Sequence, residues 1–227
     1  MSIGAFSGKA EQYEAARPSY PTEAVDCLAG IIPLDAVIAD IGAGTGKLTR
    51  LLAQRGFKIY GVEPNEDMRG QLASILAPYP NAEVVDGTAE ATTLAANSVD
   101  LITCAQALHW FEPAGFLAEC QRIGREDAWL AAVYNNMDGG RGSEHRFEAI
   151  DKIFKKPSIL YFDNPISYDR KSWQAYMLSH SHSPLLTDEN YEANLRDINQ
   201  MFVERQRDGL LQTVVQTTIY LEPLADL

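Results

Sequence analysis

The chain has 227 residues, with 31 acidic and 19 basic side chains, and a formal charge of -12. That charge, with no Lys/Arg stripe, opposes binding to a phosphate backbone and argues against DNA or RNA as a partner. The length suffices for one sizeable core of α/β size, no apolar run reaches the length of a membrane span, and the N-terminus lacks the basic and apolar regions of a secretory signal. Cys27, Cys104 and Cys120 are odd in number, widely spaced and set among apolar residues, so reduced core thiols and a cytosolic location are expected, with no disulfide frame and no metal.

The most informative element is VIADIGAGTG, Val37 to Gly46. Val37, Ile38, Ala39 and Ile41 form a buried-type strand, and Leu48, Leu51 and Leu52 then recur at helical spacing, so the period changes across Gly42, Gly44 and Gly46. Glycines in such a turn reach positive φ and let backbone N–H groups approach a ligand. A P-loop does not fit, because Lys47 is followed by Leu48 and Ile41 stands where its first glycine belongs. A dinucleotide turn needs GxGxxG, whereas this is GxGxG with Asp40 two residues ahead, an acid that would face the pyrophosphate. S-adenosylmethionine suits the charges better, with an ammonium and a sulfonium that an acid favours and a carboxylate that a helix N-terminus holds.

The next elements alternate in the manner of a parallel sheet covered on both faces. The first helix is expected to end at Gly56 and FKIYGVE to form a second strand up to Glu63. Asn65 caps a helix whose buried stripe is Met68, Leu72, Ile75 and Leu76, stopped by Pro78. AEVVDG is a third strand ending at Asp86 and Gly87. VDLITCA is a fourth that exits through Gln106 to Phe111, with Asp100 at its entrance as a structural turn acid. Pro113 opens a helix carrying Phe116, Leu117, Cys120 and Ile123, and AWLAAVYNN is the fifth strand, ending near Asn135.

Further on, a loop with Gly139, Gly140 and Gly142 leads to a helix bearing Phe147, Ile150, Ile153 and Phe154. Another helix carries Tyr191, Leu195, Ile198 and Phe202 and is expected to end at Gly209. A long final strand then alternates from Leu211 to Leu221. There is no internal repeat or low-complexity linker, so residues 1–227 are expected to form one domain, with residues 136–209 holding substrate-side additions.

An acid, any residue and GxGxG, followed in order by Glu63, Asp86 and the His109–Trp110 pair, resembles the class I S-adenosylmethionine-dependent methyltransferases. The resemblance implies a Rossmann-like α/β fold with a seven-stranded sheet, mostly parallel, an antiparallel last strand inserted between the fifth and sixth, and helices on both faces; the sixth strand is then near Pro165 to Tyr168. It implies cofactor contacts at Asp40, Gly42, Gly44, Gly46, Glu63 (ribose), Asp86 and Gly87 (adenine) and Gln106. YEAARPSYP, Tyr13 to Pro21, together with QALHWF, is similar to the small-molecule branch that includes trans-aconitate methyltransferase. In that branch the segment before the first strand, here within residues 1–30, closes over the cofactor. Arg17 is then a cofactor contact, and Tyr13 and Tyr20 join Trp110 and Tyr134 as substrate contacts.

The implied reaction is attack by an acceptor oxygen, nitrogen or carbon on the sulfonium methyl, for which orientation alone can supply roughly 7 to 11 kcal/mol. A carboxylate acceptor needs no base; a hydroxyl or amine has His109 as the candidate general base. His180 and His182 have ligand-like spacing but no accompanying acid or cysteine, so metal binding is not expected. Trp110, Phe111, Tyr134 and Trp173 suit a partly apolar small molecule, and Arg17 and Arg141 would permit a carboxylate. A nicotinamide dehydrogenase and a non-catalytic S-adenosylmethionine-binding protein stay open as alternatives, as does the oligomeric state.

Overall fold

The computed structural model describes residues 16–136, 144–180, 183–184 and 186–227. Its centre is β1 (Val37–Ile41), β2 (Lys58–Val62), β3 (Ala82–Val85), β4 (Val99–Ala105), β5 (Gly124–Asn136), β6 (Ser158–Tyr168) and β7 (Leu211–Pro223). They form one sheet of order β3-β2-β1-β4-β5-β7-β6. β1 to β5 pair in parallel, and β7 runs antiparallel to both β5 and β6. The inserted antiparallel strand is where the resemblance put it.

The central strands are apolar on both faces because both are covered. Ile38, Leu101, Ala131 and Val133 face one layer, where α1 (Thr22–Gly30) contributes Ala24, Val25 and Leu28 and α2 (Lys47–Ala53) contributes Leu48 and Leu52. Ala39, Ile41, Ile102, Cys104 and Leu130 face the other, where α4 (Pro113–Ile123) brings Phe116, Cys120 and Ile123 and α5 (Glu144–Ile153) brings Ile150 and Ile153. α3 (Glu66–Leu76) starts as its sequence predicts: the Asn65 carboxamide oxygen accepts from the Met68 N–H at 3.0 Å. Asp100 is structural, accepting from the Val37 N–H at 2.7 Å and pairing with Arg125.

A third apolar cluster joins α6 (Arg170–Leu178) and α7 (Tyr191–Arg205) to the end of β6 and the start of β7 through Tyr168, Trp173, Tyr176, Ile198, Phe202 and Leu211. Trp173, expected among substrate contacts, is instead a core side chain here, 1% exposed, with its indole N–H donated to the Ile198 carbonyl at 3.1 Å. Three boundaries also differ from expectation. β5 begins at Gly124, β6 begins at Ser158, and α7 stops at Arg205, with Gly209 (φ +80°) in the turn into β7. β6 tolerates Pro165 because it is an edge strand with one unpaired side.

Register fixes where the sheet ends. Asn136 at the end of β5 pairs with Gln216, which pairs with Asp163 of β6. β6 then runs on for five more residues, to Tyr168, about 16 Å beyond that level at roughly 3.3 Å per residue. The exits of β1, β2, β3, β4 and β5 thus share one edge, and β6 overhangs it.

Candidate functional site

The turn from β1 to α2 lies at that edge. Gly42 and Ala43 donate their N–H groups to the Val62 carbonyl at 2.9 and 3.1 Å, which folds the turn onto the exit of β2. Gly42 has φ +68°, and a Cβ on it would come within 2.8 Å of Ala107 Cβ and 3.0 Å of the Phe111 ring. It has to be glycine so that the loop after β4 can close on the turn. Gly44, at φ +58°, differs: a Cβ there would meet no atom within 4 Å. Its surroundings are open, and its N–H is donated to Glu63 Oε2 at 2.8 Å.

Glu63 is 7% exposed, and its other oxygen accepts from the Asn65 N–H at 2.9 Å. Burial pushes its pKa up, and the two N–H donors and the nearby Arg69 charge pull it back. Arg69, which sequence reasoning missed, ties the neighbouring strand exits together. One of its nitrogens donates to the carbonyls of Glu63 (3.0 Å) and Pro64 (2.9 Å), and another pairs with Asp86 at 3.1 Å. Gly87 is pressed against the Thr92 carbonyl, where a Cβ would sit at 2.8 Å, and Thr92 is held by Glu119 through its N–H at 2.7 Å. The turn, Glu63, Asp86 and Gly87 therefore form one connected rim.

Asp40 departs from its expected role. It is fully buried beneath the turn, and its oxygens accept from the hydroxyls of Thr49 (2.6 Å) and Thr103 (2.8 Å). Those bonds pin β1 to α2 and to β4, so the acid serves the turn's shape and does not face a ligand.

On the other side of the turn, β4 leaves through Gln106, a non-glycine residue at φ +56° whose N–H reaches the Val133 carbonyl (2.9 Å) and whose side chain donates to the Asn135 carbonyl (3.1 Å). Such backbone conformations cost energy and cluster at functional sites. The chain then makes a 3-10 turn, Leu108–Trp110. The half-buried His109 ring lies 5.0 Å from the Trp110 ring and 6.2 Å from that of Tyr134, centroid to centroid. Tyr134 is 2% exposed within the core.

Asn135, also missed, links this loop to the N-terminal segment: its side chain and that of Asn164 donate to the Ser19 carbonyl at 3.3 and 2.7 Å. Tyr20 packs in the α1-side core, contrary to a substrate-facing position. Arg17, expected to reach the cofactor from the N-terminal segment, donates to the Ser179 carbonyl at 3.3 Å and lies over the Tyr176 ring, contacts on the α6 side. His180 Nδ1 lies 3.0 Å from the Met177 carbonyl. Tyr13, Arg141 and His182 lie outside the described residues, and among the described residues no group of three His, Cys, Asp or Glu side chains could hold a metal.

Residues 39–132, which hold the turn, Glu63, Asp86 and the Gln106–Phe111 loop, match the family model of a methyltransferase domain. Over that stretch the chain is similar to methyltransferase domains. An uncharacterized methyltransferase of Mycobacterium tuberculosis is 41% identical over 139 residues, 61% of this chain and 54% of the relative. One of Schizosaccharomyces pombe is 33% identical over 136 residues, covering 59% and 53%. The chain thus spans about half the length of these curated relatives. In fold, it is similar to a protein of Anaeromyxobacter dehalogenans described as a type II methyltransferase (TM-score 0.71, 21% identity, 92% of this chain and 98% of the other). It is also similar to an S-adenosylmethionine-dependent methyltransferase of Aquifex aeolicus (TM-score 0.53, 22% identity, 63% and 84%).

The residues present fit S-adenosylmethionine, on which the Aquifex aeolicus protein is described as dependent. The open space at Gly44 gives it room, and Glu63 is a buried acceptor beside that space. The Gln106–Phe111 loop meets the turn at Gly42, through Ala107 and Phe111. The burial that hides Asp40 has a measurable consequence. Burial pushes its pKa up to about 6 against an ordinary 3.8, with the Thr49 and Thr103 hydroxyls opposing and Glu63 adding to the rise. The folded domain therefore binds more protons than the unfolded chain between those values. Stability from this group is full below pH ~3.8 and declines as pH rises to ~6, by about 3 kcal/mol in all. Asp40→Asn should flatten the urea-midpoint profile between pH 4 and 6.5, and an unchanged slope would assign it to other groups.

Proposed function

We propose that the chain transfers a methyl group from S-adenosylmethionine to a small-molecule acceptor, a carboxylic acid or a hydroxyl compound. The observation that carries this reading is the open space at Gly44, whose N–H is bonded to the buried Glu63, in a turn that the Gln106–Phe111 loop meets at Gly42. S-adenosylmethionine supplies a sulfonium-bound methyl group, whose bonding pair returns to sulfur on transfer. Glu63 accepts from the ribose hydroxyls, the rim at Asp86 and Gly87 borders the adenine, and Gln106 lies beside the cofactor. Trp110 and Tyr134 wall the acceptor side. His109 takes the proton from a hydroxyl acceptor, whereas a carboxylate has none to lose. Within residues 1–30, the part ahead of α1 acts as a lid, supported by the bonds from Asn135 and Asn164 to Ser19 across the strand ends. In this reading the chain is one domain, with residues 136–209 partly given to the acceptor. Its free thiols at Cys27, Cys104 and Cys120 suit the cytosol, and no described helix is long and apolar enough to cross a membrane.

Calorimetry is expected to give binding of S-adenosylmethionine and S-adenosylhomocysteine, with NAD far weaker, and incubation with acceptor mixtures is expected to release S-adenosylhomocysteine. NAD bound as tightly as S-adenosylmethionine would sink the reading. Binding with no release across a broad acceptor set would leave a binding protein without catalysis.

A further inference from the structure

Tyr168, the last residue of β6, carries a hydroxyl with nothing to bond among the described residues. The residue is 4% exposed and its Oη has no hydrogen-bond partner there, although a buried tyrosine hydroxyl ordinarily finds one. The neighbouring polar atom of the same cluster, the Trp173 indole N–H, is satisfied by Ile198. The ring itself is held fast, 5.2 Å from the Tyr176 ring and 5.6 Å from Trp173. Burial pushes the phenol pKa up, so the group is present as an O–H donor.

Two cations border this cluster: Arg170, over the Phe202 ring at 5.7 Å, and Arg17 from the N-terminal segment. The Arg17 guanidinium lies 5.6 Å from the centroid of the Tyr176 ring, and its charge is felt at Tyr168, where it partly opposes the effect of burial. The His180 ring lies edge-on to Tyr176 at 5.0 Å. Tyr168 stands at the tip of the β6 overhang, on the side of the sheet where β1, β4 and β5 also end. The contacts from Gln106 through Asn135 reach the Ser19 carbonyl, in the same N-terminal segment as Arg17. A guanidinium presents a planar fork of N–H donors that matches a carboxylate, and a phenol O–H beside it adds a further donor.

We propose that Arg17 and the Tyr168 hydroxyl, framed by Tyr176, form a subsite that anchors a carboxylate of the methyl acceptor. The subsite rests on the methyltransferase reading above and narrows it. Oxygen lone pairs engaged by a guanidinium are poor nucleophiles, so the anchored carboxylate is not the group methylated. The acceptor then carries a second reactive group: another carboxylate, a hydroxyl or an amine.

The test uses the full chain saturated with S-adenosylhomocysteine and titrated at pH 7.5 with citrate, glutarate and phenylacetate, with phenylacetamide as the uncharged control. At least one acid is expected to bind the wild type while the amide does not. Arg17→Gln should weaken that acid at least tenfold, and Tyr168→Phe severalfold. Because Tyr168→Phe removes only an unpaired buried hydroxyl, its Tm should hold or rise by about 2 to 4 °C, and its affinity for S-adenosylhomocysteine should be that of the wild type. A lower Tm in Tyr168→Phe would make the hydroxyl structural and overturn the subsite. So would equal acid binding by wild type and variants, or no acid bound by the loaded wild type. Arg17→Gln losing S-adenosylhomocysteine together with the acid would return Arg17 to the cofactor and overturn it too. Failure of the underlying reading looks different: the wild type does not bind S-adenosylhomocysteine at all.

Discussion

Replacing Glu63 with alanine should weaken binding of S-adenosylhomocysteine by about 100-fold or more while leaving a folded protein. The carboxylate is 7% exposed and already aimed, each oxygen held by one backbone N–H, from Gly44 at 2.8 Å and Asn65 at 2.9 Å. An ionised carboxylate oxygen accepts more than one hydrogen bond, so each oxygen keeps capacity for a ribose hydroxyl without moving. Two charge-assisted bonds at roughly 1.5 to 3 kcal/mol each set the loss, and 1.4 kcal/mol is about tenfold in affinity. Alanine also strips the Gly44 N–H of its acceptor, which loosens the turn that must cradle the ligand. Glu63→Gln keeps an oxygen and loses the charge, so its affinity should fall between wild type and Glu63→Ala. Calorimetry decides this, with circular dichroism to verify folding. A folded Glu63→Ala protein of unchanged affinity would mean that the acid serves only the backbone.

What the sequence could disclose of this site depended on whether the signal was local. The β1 strand, the glycine turn and α2 follow each other within 17 residues, Val37 to Ala53, so the change of period exposes all three. Glu63 and Asp86 are legible for the same reason: each ends a short apolar strand. Asp40 was misjudged because its partner Thr103 is brought beside it only by the pairing of β1 with β4, and Thr49 by the fold of α2. Adjacency in the chain gives no direction for a side chain. Trp173 and Tyr20 failed similarly, since their surroundings are made by segments far apart in sequence. Arg69 did leave a signal that went unread. It is a cation in the first turns of α3, where the helix dipole favours anions, and acids do fill Glu66 and Asp67. A residue set against that preference has another partner, here the exits of β2 and β3. β6 was underestimated because an edge strand needs to be apolar on one face only, and its Pro165 reads as a breaker.

His109→Gln should lower turnover of a hydroxyl acceptor by roughly 10²- to 10⁴-fold, the usual worth of a positioned general base, while affinity for S-adenosylhomocysteine stays that of the wild type. Wild-type turnover should rise with pH as the imidazole loses its proton, and the variant should lack that rise. The alternative is that His109 only scaffolds the loop, and the structure makes the two roles separable. The described rings near it are those of Trp110 and Tyr134, whereas the cofactor turn is touched two residues on, where the Phe111 ring would lie 3.0 Å from a Cβ on Gly42. A scaffold defect would travel through Ala107 or Phe111 to Gly42, so it would reduce cofactor affinity and Tm together. A missing base has no such route: it changes kcat and its pH profile, and leaves the ligand-bound Tm where it was. Full turnover in His109→Gln on the same acceptor, or parallel loss of binding and stability, would remove His109 from the proton transfer and leave the acceptor's own ionisation to carry it.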